Sequence, residues 1–206
     1  MASRRNIQAI AAAALATGSS VAAIVVDRAR PEMSGAEQIL AVVIVAVVLY
    51  FAYSLVETVL RRIYYRHVLG KWHYVTVARS GGNQNYGIMG IDFTDEGTLK
   101  YEVQLHRNPE ELRREENARG RSVSEAMDYN ARRRALHILY DVDLREDRDR
   151  RRGRLMLTAE GKDTLVGEWV SVRNETEISQ GEMFAARPRD FPRKSQRWLD
   201  LRGFDR

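Results

Sequence analysis

The chain has 206 residues, of which 44% are hydrophobic and 30% charged, with a formal net charge of +5, no cysteine and four histidines. Structural disulfides and thiolate metal sites are therefore excluded, and the histidines lack the paired spacing of a zinc centre, so no metal site is expected. The positive balance favours anionic partners in general, whether phosphate ligands, acidic headgroups or nucleic acid, and does not choose among them.

Two apolar stretches open the chain. Residues 7–26, IQAIAAAALATGSSVAAIVV, carry no charge and are about long enough to cross hydrocarbon as a helix, though alanine makes them weakly hydrophobic. A competing reading makes Met1 to Ala23 a cleaved signal peptide; the apolar run is long for that role. Residues 39–60, ILAVVIVAVVLYFAYSLVETVL, are far more apolar and are interrupted only by Glu57 near their end, where a carboxylate reaches the headgroups. Pro31 and Gly35 break the polar linker between them, so a tight antiparallel pair is expected. Ala14, Gly18 and Ala22 provide small residues for close helix packing. Arg4 and Arg5 precede the pair and Arg61, Arg62, Arg66 and Lys71 follow it, against Arg28 and Arg30 between the helices, which predicts a multi-pass membrane protein with both ends cytoplasmic.

Beyond a basic neck ending near Arg66, residues 67–206 read as one domain. Hydrophobic alternation and β-branched or aromatic enrichment predict strands over 71–79, 86–94 and 99–105, separated by SGGNQN and by Asp95-Glu96-Gly97. From 109 to 134 the pattern predicts a helical insertion. Asn108 before Pro109-Glu110-Glu111 starts a first helix, Gly120 stops it, and a capping box, Ser122-Val-Ser-Glu125, starts a second. Strands resume over 135–144, 153–158, 164–173 and 177–187.

Seven short strands with tight turns predict a closed antiparallel barrel, and an up-and-down barrel wants an even number. The expected eighth is Gln196 to Arg202, QRWLDLR, which also reads as an amphipathic turn lying on a membrane through Trp198 and Leu201. Gly70-Lys71-Trp72 is echoed by Gly167-Glu168-Trp169; both indoles are expected to pack in the barrel and to need a partner for their N–H. The predicted fold is thus a membrane-anchored all-β protein, a two-helix hairpin followed by an up-and-down barrel of about eight strands.

The combination of a two-helix hairpin, a basic neck, a G-x-W strand and a barrel ending in GEWVSVRNETEISQGEMFAARP resembles the bacterial CBASS effectors that join two transmembrane helices to a β-strand-rich sensor. The resemblance implies a lipocalin-like barrel that senses a cyclic dinucleotide made by a partner nucleotidyltransferase during phage infection. It further implies homo-oligomerisation and disruption of the bacterial inner membrane, with no cofactor other than the activating ligand.

Such a ligand offers phosphates to arginines and flat bases to aromatic faces. If the first strand leaves the membrane, antiparallel order places Arg79, Tyr86, Arg107, the Arg132-Arg133-Arg134 run and His137 near the distal mouth, with Tyr74, Tyr101 and Tyr140 deeper along the strands. The candidate ligand-binding set is therefore Tyr74, Arg79, Tyr86, Tyr101, Arg107, Arg133, His137 and Tyr140. The plainer reading makes these arginines a solvated face and these tyrosines core. The same order returns the loop Arg145 to Arg152 to the membrane side, to meet anionic headgroups or simply water. No nucleophile elbow, P-loop or metal triad is present, so no catalytic residues are assigned; Glu168, Asp141 and Asp143 are the least implausible acids for a hydrolase. Nucleic acid is not an expected partner, because the basic runs mix with carboxylates and lack a recognition helix. The alternative function is a membrane-tethered lipocalin-like carrier or envelope scaffold.

Overall fold

A computed structural model describes residues 35–114, 118–144, 147–174 and 176–204. The expected first span, over 7–26, lies outside the described residues. The chain divides after Tyr64 into two compact units.

The first unit contains most of helix α1 (Gly35–Tyr65). Its segment Ile39–Tyr65 is 27 residues long and apolar enough to cross a membrane. At 1.5 Å per residue that is roughly 40 Å, more than the ~30 Å of bilayer hydrocarbon. Ile39, Leu40, Val42, Val48, Phe51, Val56 and Ile63 are all exposed, so the helix presents apolar side chains around its circumference. Glu57 is ion-paired to Arg61 one turn on, which neutralises the carboxylate within the apolar run.

The second unit is a closed antiparallel barrel whose eight strands run in sequence order, β8 closing on β1. The strands are β1 (Gly70–Ala78), β2 (Gln84–Phe93), β3 (Leu99–His106), β4 (Gly120–Asn130), β5 (Ala135–Leu144), β6 (Asp147–Ala159), β7 (Thr164–Arg173) and β8 (Glu177–Ala186). Helix α2 (Pro109–Arg114) lies between β3 and β4, and α3 (Phe191–Arg202) follows β8. Asn108 caps α2 as its sequence suggests. Its Oδ1 accepts from Glu111 N at 2.9 Å, while Glu111 Oε2 accepts from Arg107 N at 2.9 Å, so the two side chains satisfy each other's neighbouring donors.

Two expectations are corrected here. The helix expected from Ser122 is instead strand β4, so the helical insertion over 109–134 shrinks, among the described residues, to α2. The Ser122–Glu125 capping box does not form: Ser122 is buried, and Ser124 Oγ accepts from Tyr101 N of β3 at 3.0 Å. The strand evades hydrophobic patterning because its inward Ser122 faces a polar cavity, its outward positions include Arg121 and Val123, and a bulge between Ser124 and Ala126 breaks the period of two. The second correction is Gln196–Arg202, which is helical rather than the closing strand. Trp198 and Leu199 of α3 are buried, against Val75 and Val77 of β1 and Phe184 of β8, while Leu201 is 77% exposed.

The barrel thus has two cores. Alternate residues of β1 point opposite ways: Val75 and Val77 pack outward beneath α3, whereas Trp72 and Tyr74 point inward. In the half of the barrel where β1 begins, here the proximal half, the interior is filled by Trp72, Met89, Ile91, Val103, Ile138 and Leu157, each at most 1% exposed. The Trp72 indole N–H donates to Val68 O at 2.8 Å, supplying the expected partner. The Arg187 guanidinium stacks 3.7 Å over that ring and donates to Leu69 O at 2.9 Å, tying the end of β8 to the start of β1.

Candidate ligand-binding site

The distal half of the barrel is not filled. It encloses a cavity of about 370 Å³, within the ~300–1,000 Å³ range of small-molecule sites. Exposed Ser80, Asn83 and Glu177 at its rim connect it to the distal surface.

Tyr74 of β1, Tyr101 of β3 and Tyr140 of β5 form its aromatic part, each at most 8% exposed, with the Tyr101 and Tyr140 ring centroids 6.4 Å apart. A repeated local device accommodates such rings. Tyr74 pairs across the strands with Gly87, Tyr140 with Gly153, and Trp169 with Gly181. A Cβ at Gly87 or Gly153 would lie 2.4 or 2.3 Å from the facing tyrosine ring, and one at Gly181 would lie 2.7 Å from the Trp169 indole nitrogen. The rings lie flat over glycine backbone along the wall, leaving the lumen open. Burial raises the pKa of all three tyrosines, that of Tyr140 to about 12, with the Ser171 hydroxyl offsetting part of the effect. They are therefore neutral hydroxyl donors at physiological pH.

Above the tyrosines the lining turns cationic. Arg119, Arg151 and Arg173 line the cavity, against one carboxylate, Glu177, which lies 3.9 Å from Arg173. Arg119 Nε and Trp169 Nε1 are buried donors without a partner among the described residues. Buried donors of this kind are costly unless something accepts from them, so the lining favours a ligand rich in acceptor oxygens. Asn85, His106, Ser122 and Ser171 add further polar groups.

Three of the eight residues expected to bind ligand, Tyr74, Tyr101 and Tyr140, meet in this cavity. The other five do not line it. Arg79 is paired at 2.6 Å with Glu168, and Tyr86 donates to Gln84 Oε1 at 2.6 Å while packing against the outer core. Arg107 is exposed beside α2. Arg133 and His137 are at the opposite, proximal end, because β4 is a strand: one additional crossing reverses the direction of everything after it. For the same reason residues 147–152, expected in a membrane-side loop, are the start of β6 at the distal end, where Arg152 pairs with Glu125 and Asp141. Sequence reasoning missed Arg119, Arg151, Trp169 and Arg173. Trp169, Ser171 and Arg173 share one face of β7 by simple alternation, as Arg151 does with Gly153 and Leu155 of β6, so correct strand phases would have exposed them.

No protein family matches the chain, and no curated protein matches it. Among solved structures it is similar to a redesigned β-barrel, mFAP1, bound to DFHBI, at 12% identity and a TM-score of 0.37, over 59% of this chain and 99% of that one. Similarity at that level does not bear on ligand or mechanism.

Proposed function

We propose that this chain is a ligand-gated membrane effector whose barrel binds a cyclic dinucleotide inside its distal cavity. The observation that carries the reading is the lining: tyrosine and tryptophan faces beneath a set of arginines, in a space of ligand size. A cyclic dinucleotide combines flat bases, which stack on aromatic rings, with phosphate oxygens, which accept from guanidinium forks. An apolar cargo would leave the buried Arg119 Nε and Trp169 Nε1 donors unsatisfied, which weighs against the carrier alternative. Helix Ile39–Tyr65 supplies a membrane anchor, and residues 7–26 a second span. In keeping with the CBASS resemblance, a partner nucleotidyltransferase makes the ligand during phage infection, binding drives homo-oligomerisation, and the helices breach the bacterial inner membrane. The chain is non-enzymatic in this account. Ligand drives assembly only to the extent that the assembled state binds it more tightly than the resting state.

The test is calorimetric titration of the detergent-solubilised full chain against a panel of cyclic di- and trinucleotides, with linear dinucleotides as controls. One cyclic species binds tightly, and Arg151→Gln and Arg173→Gln each weaken it about 10- to 100-fold, as expected for a lost charge-assisted hydrogen bond. A folded chain that binds none of the panel, or binds with the same affinity in both variants, contradicts the proposal.

A further inference from the structure

The proximal end of the barrel carries a second distinctive surface. Residues 131–134 join β4 to β5 there, and Arg132, Arg133 and Arg134 are all exposed. The turn itself is fixed through its backbone. Arg133 N donates to Asn130 Oδ1 at 3.2 Å, Arg134 N donates to Ala131 O at 3.3 Å, and Arg134 O accepts from Ala159 N of β6 at 2.9 Å. Arg134 holds the left-handed conformation, with φ of 50°. The side chains take no part in these bonds, and among the described residues none of the three guanidinium groups has a carboxylate within ion-pair distance. On the barrel wall, by contrast, Arg79, Arg121 and Arg152 are each matched with an acid. Arg66 and Lys162 add like charge nearby: together with Arg134 they act, after burial, to lower the pKa of His67. Among the carboxylates at this end, Asp128 is exposed on β4 four residues before Arg132 and Asp92 is exposed on β2, while Asp95 and Glu96 lie between β2 and β3 and Glu160 and Asp163 between β6 and β7, with Asp163 4.0 Å from Arg187.

This is also the end at which β1 starts, with four residues between it and the last residue of α1. Even fully extended, the link from Tyr65 to Gly70 spans only roughly 15–18 Å. If α1 crosses a bilayer, the turn is held within short reach of the headgroup layer, where cationic side chains and anionic lipids attract within a Debye length of about 10 Å.

We propose that the β4–β5 turn docks the proximal end of the barrel onto anionic phospholipid headgroups through Arg132, Arg133 and Arg134. The inference rests on the reading of α1 as a membrane anchor. Docking fixes the barrel's axis against the membrane and turns the cavity's mouth away from it. Each basic residue at an anionic surface contributes roughly fivefold to such an association, so removing two charges and adding two opposite ones abolishes it.

The chain lacks cysteine, so a single Ala131→Cys substitution gives the full-length protein a unique spin-label site within the turn. The labelled protein is reconstituted into vesicles of phosphatidylcholine alone or with phosphatidylglycerol, and exposure of the label to a water-soluble nickel chelate is measured by power saturation. Exposure falls severalfold in the anionic vesicles, recovers at high salt, and recovers when Arg132→Glu and Arg133→Glu are added. Inorganic phosphate added to neutral vesicles does not reproduce the protection, which separates a lipid surface from free phosphate. A label at Thr176→Cys, on the distal β7–β8 turn, is equally exposed in both compositions. Equal exposure of the Ala131→Cys label in both vesicles, or protection that survives the paired glutamates, overturns the proposal. Flotation after alkaline extraction reports separately on the anchor: a chain that floats with neither composition removes the reading of α1, whereas one that floats with both and shows no protection removes only the docking.

Discussion

The glycine opposite Tyr74 offers a way to close the cavity without touching its lining. In Gly87→Ala the new Cβ would lie 2.4 Å from Cε1, Cζ and Oη of the Tyr74 ring, a separation that cannot persist. No backbone atom is among these three nearest contacts, so the ring is what must move, and the open side is the cavity. Gly87 does not occupy a positive φ, so alanine fits its backbone and gains about 0.4–1 kcal/mol from a more restricted unfolded chain. The overpacking cost of roughly 1–3 kcal/mol is larger, and the net change is a loss of about 1–2 kcal/mol. At 2–4 °C per kcal/mol, thermal unfolding of the chain falls by roughly 2–8 °C. The specific signature is coupling. Combined with Tyr74→Leu, the alanine loses the atoms it strikes, so the double variant is more stable than the sum of the single effects by about 1 kcal/mol or more. Ligand affinity in Gly87→Ala falls further than stability, because the displaced ring occupies the lumen. Differential scanning calorimetry on the four proteins decides the matter: additive effects, or a Gly87→Ala variant as stable as the parent, refute the reasoning.

Removing the Arg187 side chain as alanine costs about 2–4 kcal/mol, since it stacks on Trp72 and donates to Leu69 O; lysine rescues little because it has no planar fork, and denaturant titration measures both. Stability is also expected to fall at high pH. A tyrosine whose folded pKa is raised keeps the fold intact below its unfolded pKa near 10, and the contribution is lost as pH climbs towards the folded value. For Tyr140, raised to about 12, the loss by that pH is on the order of 2–3 kcal/mol. Tyr140→Phe therefore flattens the alkaline limb of a stability profile while leaving neutral stability nearly unchanged, and an unaltered limb speaks against the buried-hydroxyl account. Trp198→Ala uncovers the outer face of β1 and β8, where the indole stacks on Phe184 with centroids 5.5 Å apart. The expected loss is roughly 3–5 kcal/mol, with protease cleavage within 191–204 appearing before the barrel strands are cut.

The barrel was legible where one of its faces is apolar. β1, β5, β7 and β8 alternate plainly because their inward residues in the proximal half are Trp72, Ile138, Leu165 and Ala185, and their predicted limits agree with the structure to within a residue or two. β4 was hidden by the polarity of its inward face. A strand that shows Ser122 to a polar cavity and Arg121 to water carries no hydrophobic period, and its Ser-x-x-Glu spacing mimics a helix start. That single misreading moved the Arg132–Arg134 run and His137 to the wrong end of the barrel and demanded a spurious eighth strand from α3. The tyrosines survived the error because β1 and β3 precede it and Tyr140 sits mid-strand, far from either end. The cationic part of the site was lost because Arg151 and Arg173 lie at strand ends, where a linear reading sees only charged turns. Trp72 and Trp169 occupy the same sequence motif yet differ in role, one sealed by Arg187 and the other bordering the cavity. Only the closed topology tells them apart.

Ligand-triggered leakage of a trapped dye from vesicles containing the full-length chain tests the central claim most directly. The account predicts that one cyclic dinucleotide releases the dye, that its linear counterpart does not, and that Arg151→Gln combined with Arg173→Gln abolishes release from vesicles holding the same amount of folded protein. Vesicles that stay sealed although the cyclic dinucleotide occupies the barrel, or that leak equally with the double variant, contradict it.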